Sequence, residues 1–186
     1  MEFNEHSGLE GKHATLSPSG YAWLNYTPER LEEVYLNNKA KVEGTLLHEF
    51  ASFAIERGIK LHKLKNTINM FVNDAIGFRM SSEVKLFYSF NCFGTADAIK
   101  FEERANDKPL LRIFDLKTGK HRASFKQLEI YAALFCLEYD VDPYKIDMEL
   151  RIYQLSECHI YEPEPEEVKT IMNTIIEFDM VLDAMH

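Results

Sequence analysis

Cysteine is scarce in this 186-residue chain, and the three present, Cys92, Cys136 and Cys158, lie far apart. Such spacing forms no CxxC pair and no even disulfide set. Free thiols, buried or half-buried, in a reducing compartment are therefore expected. An iron–sulfur cluster held by four cysteines is excluded by the count. Positive charge is also short: 21 Lys and Arg stand against 30 Asp and Glu, for a net charge of −9. That balance argues against broad attraction to a polyanion, because phosphate contact is driven by Lys and Arg. It still leaves room for a nucleic-acid enzyme with a local basic lane, since clustered carboxylates would themselves lower the total. No stretch approaches the roughly 20 apolar residues of a membrane span, so no membrane partner is expected. The opening "MEFNEHSGLEGKHATL" has no basic, apolar and small-residue succession. It reads as a loosely packed lead-in rather than a secretory leader, and a cytoplasmic location is expected.

Hydrophobic residues make up 46% and charged residues 27% of the chain, ordinary values for a globular domain with a respectable core. The length predicts a single domain over 1–186. Within it, a lead-in and helix occupy 1–40, a core 41–155 and a C-terminal helix 164–186. Thr27 before Pro28 and Glu29 is a helix-start signature. "EGTLLHEFASFAIERG" places Leu47, Ala51 and Ala54 at helical spacing and stops at Gly58. "LKNTINMFVNDAIGFRM" predicts a further helix through Ile68, Phe71, Val72 and Ala75. The period then changes to two. "SEVKLFYSF" alternates Val84, Leu86, Tyr88 and Phe90, and "FGTADAIKF" aligns Phe93, Thr95, Asp97, Ile99 and Phe101. After the polar hairpin loop "EERANDKP", "LLRIFDLKTG" puts Leu111, Ile113, Asp115 and Lys117 on one face. "SFKQLEIYAALFCLEY" returns to helix and "KIDMELRIYQL" to strand. A last helix uses Val168, Ile171, Ile175, Phe178 and Leu182. The order predicts an α/β (α+β) layer built round a mixed sheet.

Two of these strands carry an acid among residues that otherwise suit a core. A lone buried carboxylate costs several kcal/mol unless it is paired or binds a cation. A single strand aspartate commonly sits at a strand end, meeting solvent or a nearby Arg such as Arg112. Two, on neighbouring strands, would suit a hard divalent ion such as Mg²⁺. Lys117, two residues after Asp115, projects to the same side and could orient an attacking water. His48 lies beside the apolar stripe of its helix, with the small Ala51 and Ser52 one turn on. If that helix packs over the two strands, its imidazole would tune the centre toward Mn²⁺ as well as Mg²⁺. Gln127 and Tyr131 share a helix face. Together with Lys117, Lys120, His121, Arg122 and Lys126 they suggest a phosphate-contacting edge beside the acids.

Gly94-Thr95-Ala96-Asp97, then Asp115-Leu116-Lys117-Thr118-Gly119, then Gln127-x-x-x-Tyr131 resembles the PD-(D/E)XK nuclease superfamily. The likeness is closest to its RecB-like branch, which includes phage and CRISPR-associated exonucleases. That branch also has an upstream helix histidine, matched by His48 in "GTLLHEFA". The lead-in "HATLSPSGYAWLNYTPERL" is similar to RecB-like proteins encoded in phages and prophages. The likeness covers roughly residues 13 to 155, in four short motifs that fall in order on the expected elements.

The resemblance implies a restriction-endonuclease-like αβββαβ core. Asp97 and Asp115 would bind Mg²⁺ or Mn²⁺, aided by His48 and the Leu116 carbonyl. Lys117 would be the catalytic lysine beside those two acids. Gln127, Tyr131, Lys120 and Arg122 would contact the nucleic acid, and Glu83 would belong to the outer shell. Two departures stand out: the second acid is Asp rather than the commoner Glu, and the cluster cysteines of some relatives are missing. The expected activity is metal-dependent hydrolysis of DNA, single- or double-stranded, by an exonuclease of phage or prophage recombination. A recombination or phage protein is the expected partner. "NYTPERLEEVYLNN" and the C-terminal helix are candidate interfaces for an oligomer. The second reading is a nuclease-fold binding or regulatory module without catalysis.

Overall fold

The structure, a computed structural model, describes residues 16–185, without the side chains of residues 19–21. The lead-in before residue 16 lies outside the described residues. Two compact units divide the chain, one up to Glu43 and one from Gly44 onward.

In the first unit a 3-10 stretch, Pro18–Asn25, holds the Trp23 indole N–H against the Ser17 carbonyl. Helix α1, Pro28–Glu56, then begins where Thr27 and Pro28 predict. The Thr27 hydroxyl accepts the Arg30 backbone N–H, satisfying one of the free donors of the first turn. The sequence reads this region as two separate helical segments, whereas the chain forms one. Gly44, inside the helix, allows a close approach. A Cβ there would lie 2.9 Å from the Thr118 hydroxyl oxygen. The helix ends as expected at Gly58, whose φ of +63° suits a residue without a Cβ.

The second unit is an α+β layer. It contains α2 (Thr67–Gly77), β1 (Ser81–Ser89), β2 (Cys92–Glu102), β3 (Leu110–Leu116), α3 (Lys126–Glu138), β4 (Asp147–Gln154), β5 (Glu157–Tyr161) and α4 (Pro165–Asp183). The five strands pair in chain order, β1-β2-β3-β4-β5. All neighbours are antiparallel except β3 and β4, which run parallel because α3 forms the crossover between them. The αβββαβ order expected from the sequence is therefore present, in a mixed sheet flanked by helices. Strand β5 was not anticipated. Its turn with β4 uses Leu155 and Ser156 at φ of +53° and +61°, with no glycine or asparagine to announce a hairpin.

Strand alternation sends β3 side chains to both faces. Leu111 and Ile113 join Leu128, Ala132 and Val168 in a core under α3 and α4. Phe114 and Leu116 join Ala51, Ala54, Phe71 and Val72 under α2 and the end of α1. Two expectations about faces are corrected here. In β2, Phe93 is 63% exposed, while Ile99 and Phe101 pack toward α3, so they do not form one side. Ala96 also faces α3 although it differs from Ile99 by an odd number of positions, so the alternation switches between them. In α4, Val168 and Met172 are buried but Phe178 and Leu182 are exposed, so the apolar stripe outruns its core. The thiols are free as expected, with Cys136 buried and Cys92 and Cys158 half-buried. No helix among the described residues is long and apolar enough to cross a membrane.

Candidate metal centre

The last bridge between β2 and β3 joins Ala98 to Phe114, so the next residues, Asp97 and Asp115, stand across from one another where pairing has ended. The strands part here because Asp97 substitutes for a backbone acceptor: its Oδ2 takes the Leu116 N–H at 2.7 Å. Its other oxygen, Oδ1, lies 3.3 Å from His48 Nδ1 of α1. The helix thus packs over the strands as the metal reading requires.

On the other side, Glu83 of β1 falls between the Ser82–Ala98 and Val84–Ala96 pairs, across from Asp97. Ligand atoms of His48, Glu83 and Asp97 all lie within 4.8 Å of one another. Glu83 has a φ of +51° inside a strand, a conformation that costs roughly 1–3 kcal/mol for a residue with a Cβ. This strain falls on a carboxylate that faces two other ligand groups, and it coincides with the switch of alternation in β2. The sequence places Glu83 only in the outer shell. Its membership of this cluster depends on a backbone irregularity that side-chain periodicity does not encode.

Asp115 is outside that group of three but bears on it electrically. The residue is 3% exposed, and Oδ2 has no hydrogen-bond partner among the described residues. Burial, then the charge of Asp97, raises its pKa from 3.8 to about 6, against the opposing pull of Lys117 and His48. His48 is raised above its ordinary value, chiefly by its hydrogen bond to Asp97. Glu83 is raised by burial and by Asp97. Asp115 and Glu83 resist ionisation around one space because burial first, and the neighbouring charge of Asp97 second, penalises their charged forms. A buried carboxylate oxygen without a donor leaves part of the group's hydrogen-bonding capacity unmet. The donors fit a hard divalent cation: carboxylate oxygens and one imidazole nitrogen suit Mg²⁺ or Mn²⁺. Leu116 has its side chain buried and gives its N–H to Asp97.

Lys117 follows immediately after β3. Its Nζ stands 3.1 Å from Asp115 Oδ1 and 2.7 Å from Gln127 Oε1. The Gln127 amide in turn donates to the Tyr131 hydroxyl at 3.3 Å. The i, i+4 pair on α3 therefore braces the ammonium rather than standing apart from it. Gly94 explains its own place in the motif, because a Cβ there would come within 2.8 Å of the Tyr131 ring. A cavity of about 290 Å³ adjoins Lys117, lined also by Leu47, Ile68 and Gly119.

Lys120, His121 and Arg122 are exposed on the loop that leads to α3. Buried Gln154 of β4 holds that loop. Its amide donates to the Gly119 and His121 carbonyls, and its oxygen accepts the Ala123 N–H. Nothing in the sequence marks Gln154, since one polar residue at a strand end is ordinary. Lys126 is engaged elsewhere, paired with the buried Glu129.

No family model, curated protein or solved structure matches this chain.

Proposed function

We propose that this chain is a metal-dependent deoxyribonuclease with the PD-(D/E)XK constellation of the RecB-like branch. An end-directed exonuclease of phage or prophage DNA processing is the form that branch favours. The observation that supports it most directly is the buried, unpartnered Asp115 oxygen in a centre shared with Asp97, His48 and Glu83. A purely structural domain would have reason to replace that oxygen with an apolar group, because a buried charge that Lys117 compensates only in part costs stability.

His48, Glu83, Asp97 and Asp115 would hold Mg²⁺ or Mn²⁺, which when bound supplies Lewis-acid polarisation and neutralises phosphoryl charge. The chain's own groups do the rest. Asp115 and Gln127 fix Lys117 from two sides, so its ammonium has a third direction free for a water or a phosphate oxygen. There it orients the nucleophile and offsets negative charge that grows in the transition state. Tyr131 keeps the Gln127 amide turned so that its oxygen, not its nitrogen, meets the lysine. Lys120 and Arg122, exposed on a loop fixed by Gln154, would meet flanking phosphates of DNA.

The test is hydrolysis of end-labelled DNA in Mn²⁺ by the wild-type chain beside Asp115→Asn and Lys117→Met. Activity in the wild type and a loss of at least about a hundredfold in each variant is expected. Equal activity in all three, or none in a wild-type chain that still binds DNA, moves the reading to a binding module without catalysis.

A further inference from the structure

The face of the β1–β2 hairpin turned away from α3 leaves unusual residues in solvent. Leu86 and Ala96 are buried toward α3. Strand alternation therefore turns Lys85 and Phe87 of β1, with their cross-strand partners Thr95 and Phe93, to the opposite side. Phe87 is 43% exposed, Phe93 63% and Phe90, at the tip, 91%. The rings touch one another, Phe87 and Phe90 edge-on at 5.5 Å and Phe87 and Phe93 nearly stacked at 6.4 Å.

These rings sit on a fixed support. Ser89 and Asn91, flanking Phe90, donate to Asp179 of α4, and Asn91 also donates to Asp183. The Phe87 N–H donates to Glu138 of α3. A hairpin tip pinned this way holds its apolar side chains out in water instead of collapsing onto them. Clustered exposed apolar surface marks a binding site.

The direction of the row says what it binds. Glu83 precedes Lys85 by two residues and Asp97 follows Thr95 by two, so the two strands bring the exposed residues to within two positions of the metal centre. Glu83 to Phe87 spans about 13 Å along the strand. Lys85 is exposed and meets no carboxylate among the described residues.

We propose that this face is a track for a single nucleic-acid strand, the substrate form that the site receives. Its bases stack on Phe93, Phe87 and Phe90, Lys85 meets a phosphate, and the backbone leads to Glu83 and Asp97. The proposal rests on the nuclease reading for its destination. Unpaired bases offer both π-faces to projecting rings at no cost of unstacking a duplex, and every base offers a π-face. A protein or a second copy of the chain would instead favour an apolar surface unbroken by Lys85 and by the acids beyond it.

Fluorescence anisotropy with labelled oligo(dT) in Ca²⁺ tests the track without requiring cleavage. Phe90→Ser, at a position already almost fully in solvent, is expected to weaken binding at least about fivefold, and Phe87→Ala with Phe93→Ala further. Lys85→Gln is expected to lower the salt slope of log K by about 0.7, whereas the Phe variants leave that slope unchanged. Mn²⁺ titration calorimetry on each variant verifies that the fold and the ion centre persist. Wild-type affinity in both Phe90→Ser and Lys85→Gln overturns the proposal, as does blunt duplex binding as tightly as single strand. A chain that binds oligo(dT) through these rings yet never cleaves it keeps the track and sinks the hydrolytic reading.

Discussion

Lys117 Nζ lies 3.1 Å from one oxygen of Asp115, while the other oxygen of the same carboxylate is buried without a hydrogen-bond partner among the described residues. One ammonium thus offsets part of a charge whose remainder faces Asp97. The asymmetry has measurable consequences, because a carboxylate half served by its neighbours resists ionisation.

The first concerns pH. The folded-state pKa of Asp115 is about 6, above the ordinary 3.8. The folded chain therefore binds that proton more tightly than the unfolded chain. Its stabilising effect is complete below about pH 4 and is lost as pH rises through about 6, a change on the order of 3 kcal/mol at most. His48, also raised, acts with the same sign as pH rises through its folded value. Urea denaturation of the ion-free proteins should show the wild type losing stability relative to Asp115→Asn between about pH 4 and 7. A difference that stays constant, or moves in favour of the wild type, across that window would contradict the burial and charge crowding described here.

Removing the charge without changing the shape gives the second. Asp115→Asn keeps the volume and deletes the buried anion. At pH 8, without divalent ions, the variant should be at least as stable as the wild type. With Mn²⁺ the order should reverse, since an ion at a hundred times its dissociation constant adds about 2.7 kcal/mol to a protein that binds it. Thermal denaturation with and without Mn²⁺ reads both. Equal Mn²⁺ gains in the two proteins would place the ion away from Asp115.

Gln154 carries the third. Truncation to Ala leaves the Gly119 and His121 carbonyls and the Ala123 N–H without their partner. A loss of about 1–3 kcal/mol is expected, together with opening of the loop. Trypsin reports the loop directly, because Lys120 and Arg122 lie on it. Nicking there should accelerate in Gln154→Ala well before global unfolding, and unchanged cleavage would show that other contacts hold the segment.

These residues also mark how far the sequence could be read. The strand acids, the lysine two residues on and the i, i+4 pair on α3 were legible because strand and helix periods fix which side chains are neighbours. His48 was legible only conditionally, since its value depended on a helix packing that periodicity does not give. Glu83 stands within 4.8 Å of the His48 and Asp97 ligand atoms through a strand that departs from regular φ, which periodicity does not encode, and β5 is not legible because its turn uses Leu155 and Ser156 instead of a turn dipeptide. The face of β2 was misread for the same reason. Alternation predicts a side only while the pleat is unbroken, and it breaks beside the cluster. Irregular backbone at a site is where local rules are expected to fail.

The close approach of Gly94 to Tyr131 gives the last prediction, and it separates two reasons for a glycine. Gly94 lies within β2, where a Cβ should ordinarily improve strand stability. Here the added methyl would sit 2.8 Å from a ring carbon, closer than packed atoms tolerate, so the ring must move. Overpacking of this kind costs about 1–3 kcal/mol. Moving the ring also withdraws the Tyr131 hydroxyl from Gln127, whose oxygen holds Lys117. Gly94→Ala should therefore lower both stability and Mn²⁺-dependent hydrolysis. Tyr131→Leu in the same chain should restore stability and leave hydrolysis low, because space returns and the hydroxyl does not. A double-mutant cycle on denaturation midpoints measures the coupling between the two positions. Additive effects would mean that the glycine is there for some reason other than the ring.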